Sequence, residues 1–447
     1  TYLMKGEKSV GGYAGTSGGL QGTADFARTT APVAEEGGAG GKAQPSRVSD
    51  TNVQVSGINE PDIVKTDGQN IFFSTSSYWS NRKTKVINAY PPEKLNVSSE
   101  IKESGKLLLL NDSLVVISNE KVYGYDVSNP EQPKKEWDIE LNGTVVGARM
   151  YKGYVYLVTK NHIDYSSPCP IRPMRTDGKE IVVRCTDIYH PPTPVPSDIT
   201  YHASKFDAET GKVDETVSFV GSSENSIVYM SREGIYITYS HGKDRMEVMM
   251  QFIREESGDL FPERIERKVQ ELSEYNISSS AKIVELQTIL QKYFDSLSDE
   301  ERMRVQNELS NRYTKYYKRN MRKFERTGII KISPGDMKIE EKGEIPGRPL
   351  NQFSIDEYKG NLRIATTVGN RDTSENDVYV LDENLDIIGS VKGLGLGQRV
   401  YSARFMDEKG YLVTYRQTDP FYVLDLSEPS NPEVKGKLKI TGYSSYL

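Results

Sequence analysis

The chain of 447 residues is poor in the side chains that most catalysis and metal binding use, with two cysteines, two tryptophans and four histidines. The histidines, His162, His190, His202 and His241, are scattered. No two stand at a spacing typical of metal ligands, and H-E-x-x-H is absent. Also absent are G-x-S-x-G, a Walker loop and a dinucleotide fingerprint; "GLGLGQ" from Gly393 leads into a strand rather than a helix, so it lacks the context of a phosphate loop. An enzyme is therefore the less expected reading, and no catalytic residue is assigned. No apolar run approaches the ~20 residues that span a bilayer. There is no basic excess either. The net charge is -6, which argues against nucleic acid as a main partner, because phosphate binding needs a basic face. The N-terminus "TYLMKGEKSV" has no signal-peptide core and does not begin with Met. That is expected of a mature or truncated chain whose leader is gone.

What is present is a β-rich chain with ample material for a core, at 36% hydrophobic and 27% charged residues. Residues 1–50 stand apart. They are Gly/Ala/Thr-rich without apolar periodicity and read as a tail or linker that cannot fold alone. From residue 51 to 447 the texture is short strands divided by turns. "DIVKTDGQNIFFSTS" places Asp67-Gly68 between two strand-like runs, a hairpin signal. The strands repeat. "YGYDVSNPEQP" from Tyr123 and "YVLDLSEPSNP" from Tyr422 share Y-x-x-D-[VL]-S-x-P-x-x-P. "VVGARMYKGYVYLVT" from Val145 and "VYSARFMDEKGYLVT" from Val400 share Ala-Arg and Tyr-Leu-Val-Thr with the same gap. The physical unit is a strand ending at Asp126 or Asp425, whose carboxylate and following Ser bond local N–H groups and turn the chain. The prolines then block further ladder pairing. Repeats of roughly 40 to 45 residues with four strands each indicate a β-propeller. Six blade-like units centre near 60–100, 105–141, 144–220, 225–345, 350–396 and 398–441. A β-sandwich is the rival, but it does not explain the fixed spacing.

Two insertions interrupt the repeat. In the first, Cys169 and Cys185 bracket Asp177-Gly178, which reads as a hairpin tip that a cross-strand disulfide would close. It continues into "HPPTPVP" from His190, an extended polyproline-like strip. The second, residues 259–326, reads as three helices in an antiparallel bundle. Ser298 and Glu301 make a capping box, Lys315, Lys318, Arg319, Arg322, Lys323 and Arg326 crowd the far end, and Gly328 is the expected stop. Tyr313, Tyr316 and Tyr317 are either a docking face or packing within the bundle, and packing is favoured. Asn96, Asn111, Asn142 and Asn276 open N-x-S/T triplets and are candidate N-glycosylation sites. With the disulfide they lean toward an extracellular or cell-surface protein. Calcium is the one cofactor considered, at "DTSENDVY" from Asp372 or at "NEPD" from Asn59, although a polar turn is the simpler reading of both.

"VQVSGINEPDIVKTDGQNIFF", "CTDIYHPPTPVP", "SDEER…ERTGIIKIS" and "YSARF…GYLVTYRQTDPFYVLDLSEPSNP" together resemble the secreted archaeal and bacterial proteins with a C-terminal β-propeller distantly related to WD40 repeats. Asn59 stands where that family has Asp, and Pro61 where it has Ala. The resemblance covers the chain from about Asn52 onward and leaves out the Gly-rich head. It implies an exported propeller with no catalytic residues to carry over. In similar proteins the segment like "ITGYSSYL" runs on into further strands, so the expectation is a ring of seven or eight blades with about six in this chain. The partners expected are proteins: other copies of the chain in a homo-oligomer, or a C-terminal fragment of the same precursor. The leading functional reading is a non-enzymatic surface scaffold. The alternative is an extracellular metal-binding protein or enzyme with a site in the propeller channel or near the His190 loop.

Overall fold

The computed structural model describes residues 53–75, 82–190, 197–415 and 419–440. The Gly-rich head, most of the "HPPTPVP" strip and the strand expected after residue 440 lie outside them. The described chain forms six sheets in sequence order. The first holds Val64–Thr66, Asn70–Ser74, Thr84–Asn88 and Asn96–Ile101; the last holds Arg399–Met406, Lys409–Tyr415, Asp419–Asp425 and Glu433–Ile440. Between them the same four-stranded antiparallel unit recurs, with additions in the second, third and fifth sheets. The six sheets coincide with the six units read from the sequence.

The repeat turn is built as expected. Asp126 Oδ1 accepts from the Ser128 N–H at 2.9 Å and Asp425 Oδ1 from the Ser427 N–H at 3.0 Å, each just after its strand ends. Alternation along each strand sends side chains to two faces, and consecutive sheets bury those faces against each other. Phe72 and Val86 of the first sheet meet Leu107, Leu114 and Val116 of the second. Leu108 and Val115 meet Ala148, Val155 and Phe206 of the third. Tyr201 and Phe219 meet Ile235, Ile237 and Ile330 of the fourth. Tyr229 and Ile329 meet Ile355, Ile364 and Tyr379 of the fifth. Ala365 and Val378 meet Val400, Leu412 and Tyr422 of the sixth. Each fully buried Leu, Ile or Phe contributes ~1.5–3 kcal/mol, so side-chain packing is the main cohesion between sheets.

The opening strands lie innermost. Val64–Thr66 touches Lys106–Leu110, Thr144–Tyr151 touches Ile227–Met230, and the short 3-10 turn Gln352–Ser354 touches both Ile227–Met230 and Arg399–Met406. They converge on an axis, as propeller blades do. With four antiparallel strands per sheet, every link between second and third strands falls on one face of the ring. Both insertions occupy that link, in the third and fourth sheets. They therefore rise from the same face.

The helical insertion differs from the expectation. It has four helices, α1 (Arg245–Glu256), α2 (Glu263–Glu274), α3 (Ser279–Phe294) and α4 (Asp299–Phe324). The unexpected one, α1, precedes the expected boundary at residue 259. Asp244 caps it by accepting from the Met246 and Glu247 N–H groups, and its buried Met246, Val248, Met250, Phe252 and Ile253 supply much of the bundle core. The capping box of Ser298 and Glu301 at the start of α4 is present. Gly328 is not the helix stop. The helix ends at Phe324, and Gly328 sits in strand Glu325–Ile332, where a Cβ would lie 2.6 Å from the Tyr239 ring.

Candidate functional site

A polar cluster at the inner edges of the sheets is made by residues 54–65 and the opening strands around them. The turn Val55–Ile58 is closed by an N–H from Ile58 to Val55 O at 3.1 Å, and Gly57 supplies its positive φ of 85°. Ile58, 1% exposed, packs between the third and fourth sheets. Asn59 exchanges both backbone hydrogen bonds with Met150 of the third sheet, at 2.8 and 2.9 Å. Its side-chain amide donates to Leu109 O of the second sheet and accepts from Lys65 Nζ. Asp62 exchanges backbone bonds with Leu107, also of the second sheet. Gln54 donates to Gln352 O and Ile355 O of the fifth sheet, and Arg232 of the fourth donates to Ser56 O.

At the centre lies Arg149, 5% exposed. Its guanidinium donates to Ala148 O, to Val228 O at 3.1 Å and to Gln352 Oε1 at 2.7 Å, and Glu60 approaches to 3.8 Å. Gln352 in turn donates to Glu60 Oε2 at 2.9 Å. Burial pulls the Arg149 pKa below its ordinary value, and Glu60 opposes that shift. Burial also lowers Lys65, against Asp62 and Glu60. The cation is held by carbonyls and one carboxylate rather than by solvent, which suits a structural charge better than a proton carrier. The "NEPD" oxygens considered for calcium include Asn59 and Glu60, and both are committed to this network. The recurring Ala-Arg marks a cation in an otherwise apolar strand, but nothing near it in sequence names its partners.

On the face of the insertions the cysteines form the expected disulfide, with Cα atoms 5.5 Å apart. It ties the neck of a hairpin, Ile171–Thr176 and Lys179–Val183, that leaves the third sheet and adds to the edge of the second through Met174 opposite Leu141 and Thr176 opposite Ile139. The helical arm leans the other way, onto the fifth sheet. Arg322 of α4 donates to both oxygens of Asp377 at 2.8 Å and to Glu375 at 2.7 Å. Asp377 is fully buried and also accepts from the Tyr379 hydroxyl and the Gly393 N–H. The "DTSENDVY" carboxylates Glu375 and Asp377 are thus occupied by a guanidinium. The tyrosines pack within the bundle: Tyr316 is 1% exposed, and Tyr313 and Tyr316 both pack on Phe252.

The histidines are not brought together. His202 is fully buried in the third sheet, His241 contacts Glu344 at 2.7 Å in the fourth, and His162 and His190 are exposed. Among the described residues no group of three or more His, Cys, Asp or Glu is placed to hold a metal. Asn96, Asn111, Asn142 and Asn276 are all exposed, although Asn142 donates its side chain to Arg172 O. A cleft of about 330 Å³ lies between α1 and α2, lined by Met250, Ile253, Val269, Arg254 and Glu266 among others. Among the described residues no helix is long and apolar enough to cross a membrane.

The profile of the β-propeller domain family matches residues 48–447. The chain belongs to the β-propeller domain family. This propeller is 48% identical over 415 residues to an uncharacterised protein of Archaeoglobus fulgidus, covering 90% of this chain and 65% of that protein. It is 38% identical over 413 residues to an uncharacterised protein of Methanocaldococcus jannaschii, covering 90% of this chain and 64% of that one. The propeller therefore spans somewhat under two thirds of the length of these relatives. Among solved structures it is similar to Kluyveromyces lactis Hsv2, with a TM-score of 0.33, 8% identity, and coverage of 80% of this chain and 71% of that chain.

Proposed function

We propose that this propeller is an exported, non-enzymatic scaffold that binds proteins and assembles at the cell surface or outside the cell. The observation that carries the reading is the state of its first and last sheets. Five apolar clusters join the six sheets pairwise, and among the described residues none joins the sixth to the first. Both terminal sheets keep apolar side chains in solvent. Val64 and Val97 are 37% and 50% exposed on the first, and Leu438 is 60% exposed on the sixth. Faces of this kind favour association. Their cover is a further blade of the same precursor or a neighbouring copy of the chain. The disulfide and the four exposed N-x-S/T asparagines support an oxidising, glycosylating compartment.

The test is the mass of the natural material, native and denatured, with and without deglycosylation. Native mass above the chain mass, together with glycan at one or more of the four asparagines, is expected. A bare monomer in both conditions would remove the scaffold reading and the compartment with it.

A further inference from the structure

One short segment reaches four consecutive sheets, and in a ring of sheets only a segment on the axis can do that. Residues 54–62 bond the second sheet through Leu107 and Leu109, the third through Met150, the fourth through Arg232 and the fifth through Gln352 and Ile355. The backbone of Asn59 and of Asp62 pairs with the inner edges of two opening strands, edges that a propeller otherwise leaves facing its channel. Val55 packs on two apolar clusters at once, the third-to-fourth and the fourth-to-fifth interfaces. The Glu60 carboxylate lies between Gln352 and Arg149, so three sequence-distant parts of the chain share one partly buried charge pair.

We propose that Gln54–Lys65 is an axial latch, an intramolecular ligand of the channel that locks the opening strands of the second to fifth sheets together. The latch follows from geometry rather than from any partner, so it stands apart from the scaffold reading.

Native-state hydrogen exchange on the intact chain tests the latch. The amides of Asn59 and Asp62, which donate to Met150 O and Leu107 O, should exchange together with the amides of Met150 and Leu107 in one opening event. Exchange of Asn59 and Asp62 faster than those strand amides by about a hundredfold would mean that the segment frays independently, and would overturn the proposal. Two variants extend the test. Glu60→Gln removes the carboxylate charge, and Gly57→Ala strains the turn at φ 85° while removing no charge, its Cβ lying 3.9 Å from the Arg232 guanidinium. Each should speed exchange at least about tenfold in Ile227–Met230 and Ile355–Tyr358 as well as in the segment, while α3 is unchanged. Acceleration confined to residues 54–62 would also refute the latch. If either variant fails to fold, the wild-type comparison decides alone.

Discussion

Single side chains set where this propeller is sensitive to solution conditions, and His202 is the clearest case. It is fully buried, its Nδ1 lies 2.8 Å from Ser218 Oγ, and burial pushes its pKa down to about 4. Its cross-strand neighbours Thr159 and Ser218 carry no charge to offset a proton. The folded state prefers neutral imidazole, so the stability it protects is complete above the ordinary value of 6.5 and is lost as pH falls from there through about 4. A gap of that size corresponds to a loss on the order of 3 kcal/mol at the acid end. His202→Gln keeps a hydrogen-bonding side chain and cannot charge. Chemical denaturation at pH 7 and pH 4 should show the wild type losing more stability than the variant. Equal losses would mean that carboxylates alone govern acid unfolding. At this scale the sequence was partly readable. Asp126 and Asp425 announce their turns because the partner N–H is two residues away. Arg149 does not announce its site, because Glu60, Val228 and Gln352 are brought to it only by the ring.

Elements were legible where their stabilising contacts are local. The hairpins, the capping box of α4 and the cysteine-bracketed turn each carry their cause within a few residues. What could not be read was where an element leans. Nothing near Arg322 predicts that Asp377, on another sheet, will take its guanidinium, and nothing in the hairpin predicts that it joins the second sheet while arising from the third. The helix α1 was missed because its five buried apolar residues follow a strand directly and have no helical neighbour until the bundle forms. The hairpin gives a test at this scale. Its cysteines are 16 residues apart, and closing a loop of that size stabilises by ~3 kcal/mol in the chain-entropy account. Replacing both cysteines by Ser should lower the free energy of unfolding by ~2–3 kcal/mol and make it indifferent to reductant. It should also raise exchange along Lys134–Leu141, whose edge the hairpin covers. If the melting temperature and that exchange are unmoved, the disulfide does not hold the hairpin to the second sheet.

At the scale of the whole molecule the order of the sheets was legible because each blade repeats its turn chemistry, whereas the state of the ring was expected only through the family resemblance, because it depends on faces meeting across the chain. On the first sheet Val64 pairs with Phe73, Ile71 with Ile87 and Ile87 with Val97, which places all of them on one face. On the sixth, Tyr411 pairs with Val423 and Phe421 with Leu438, and the rings of Tyr411 and Phe421 stack at 5.9 Å. If these faces are the assembly surfaces, charging their exposed members should block association without harming the fold. Val97→Glu and Leu438→Glu suit the test because both side chains are already half exposed or more, at 50% and 60%. Substitutions at exposed positions usually change stability by no more than about 0.5 kcal/mol, so the melting temperature of the isolated chain should hardly move. A carboxylate buried in an apolar interface without a partner costs several kcal/mol by contrast, and about 1.4 kcal/mol is tenfold in a dissociation constant. Light scattering across a concentration series should therefore show the wild type associating and the double variant shifted to monomer by a factor of a hundred or more in dissociation constant, roughly. Loss of association together with a collapse in melting temperature would point to damage within the sheets. Unchanged association would place the contacts elsewhere, on the face that carries the hairpin and the helical arm.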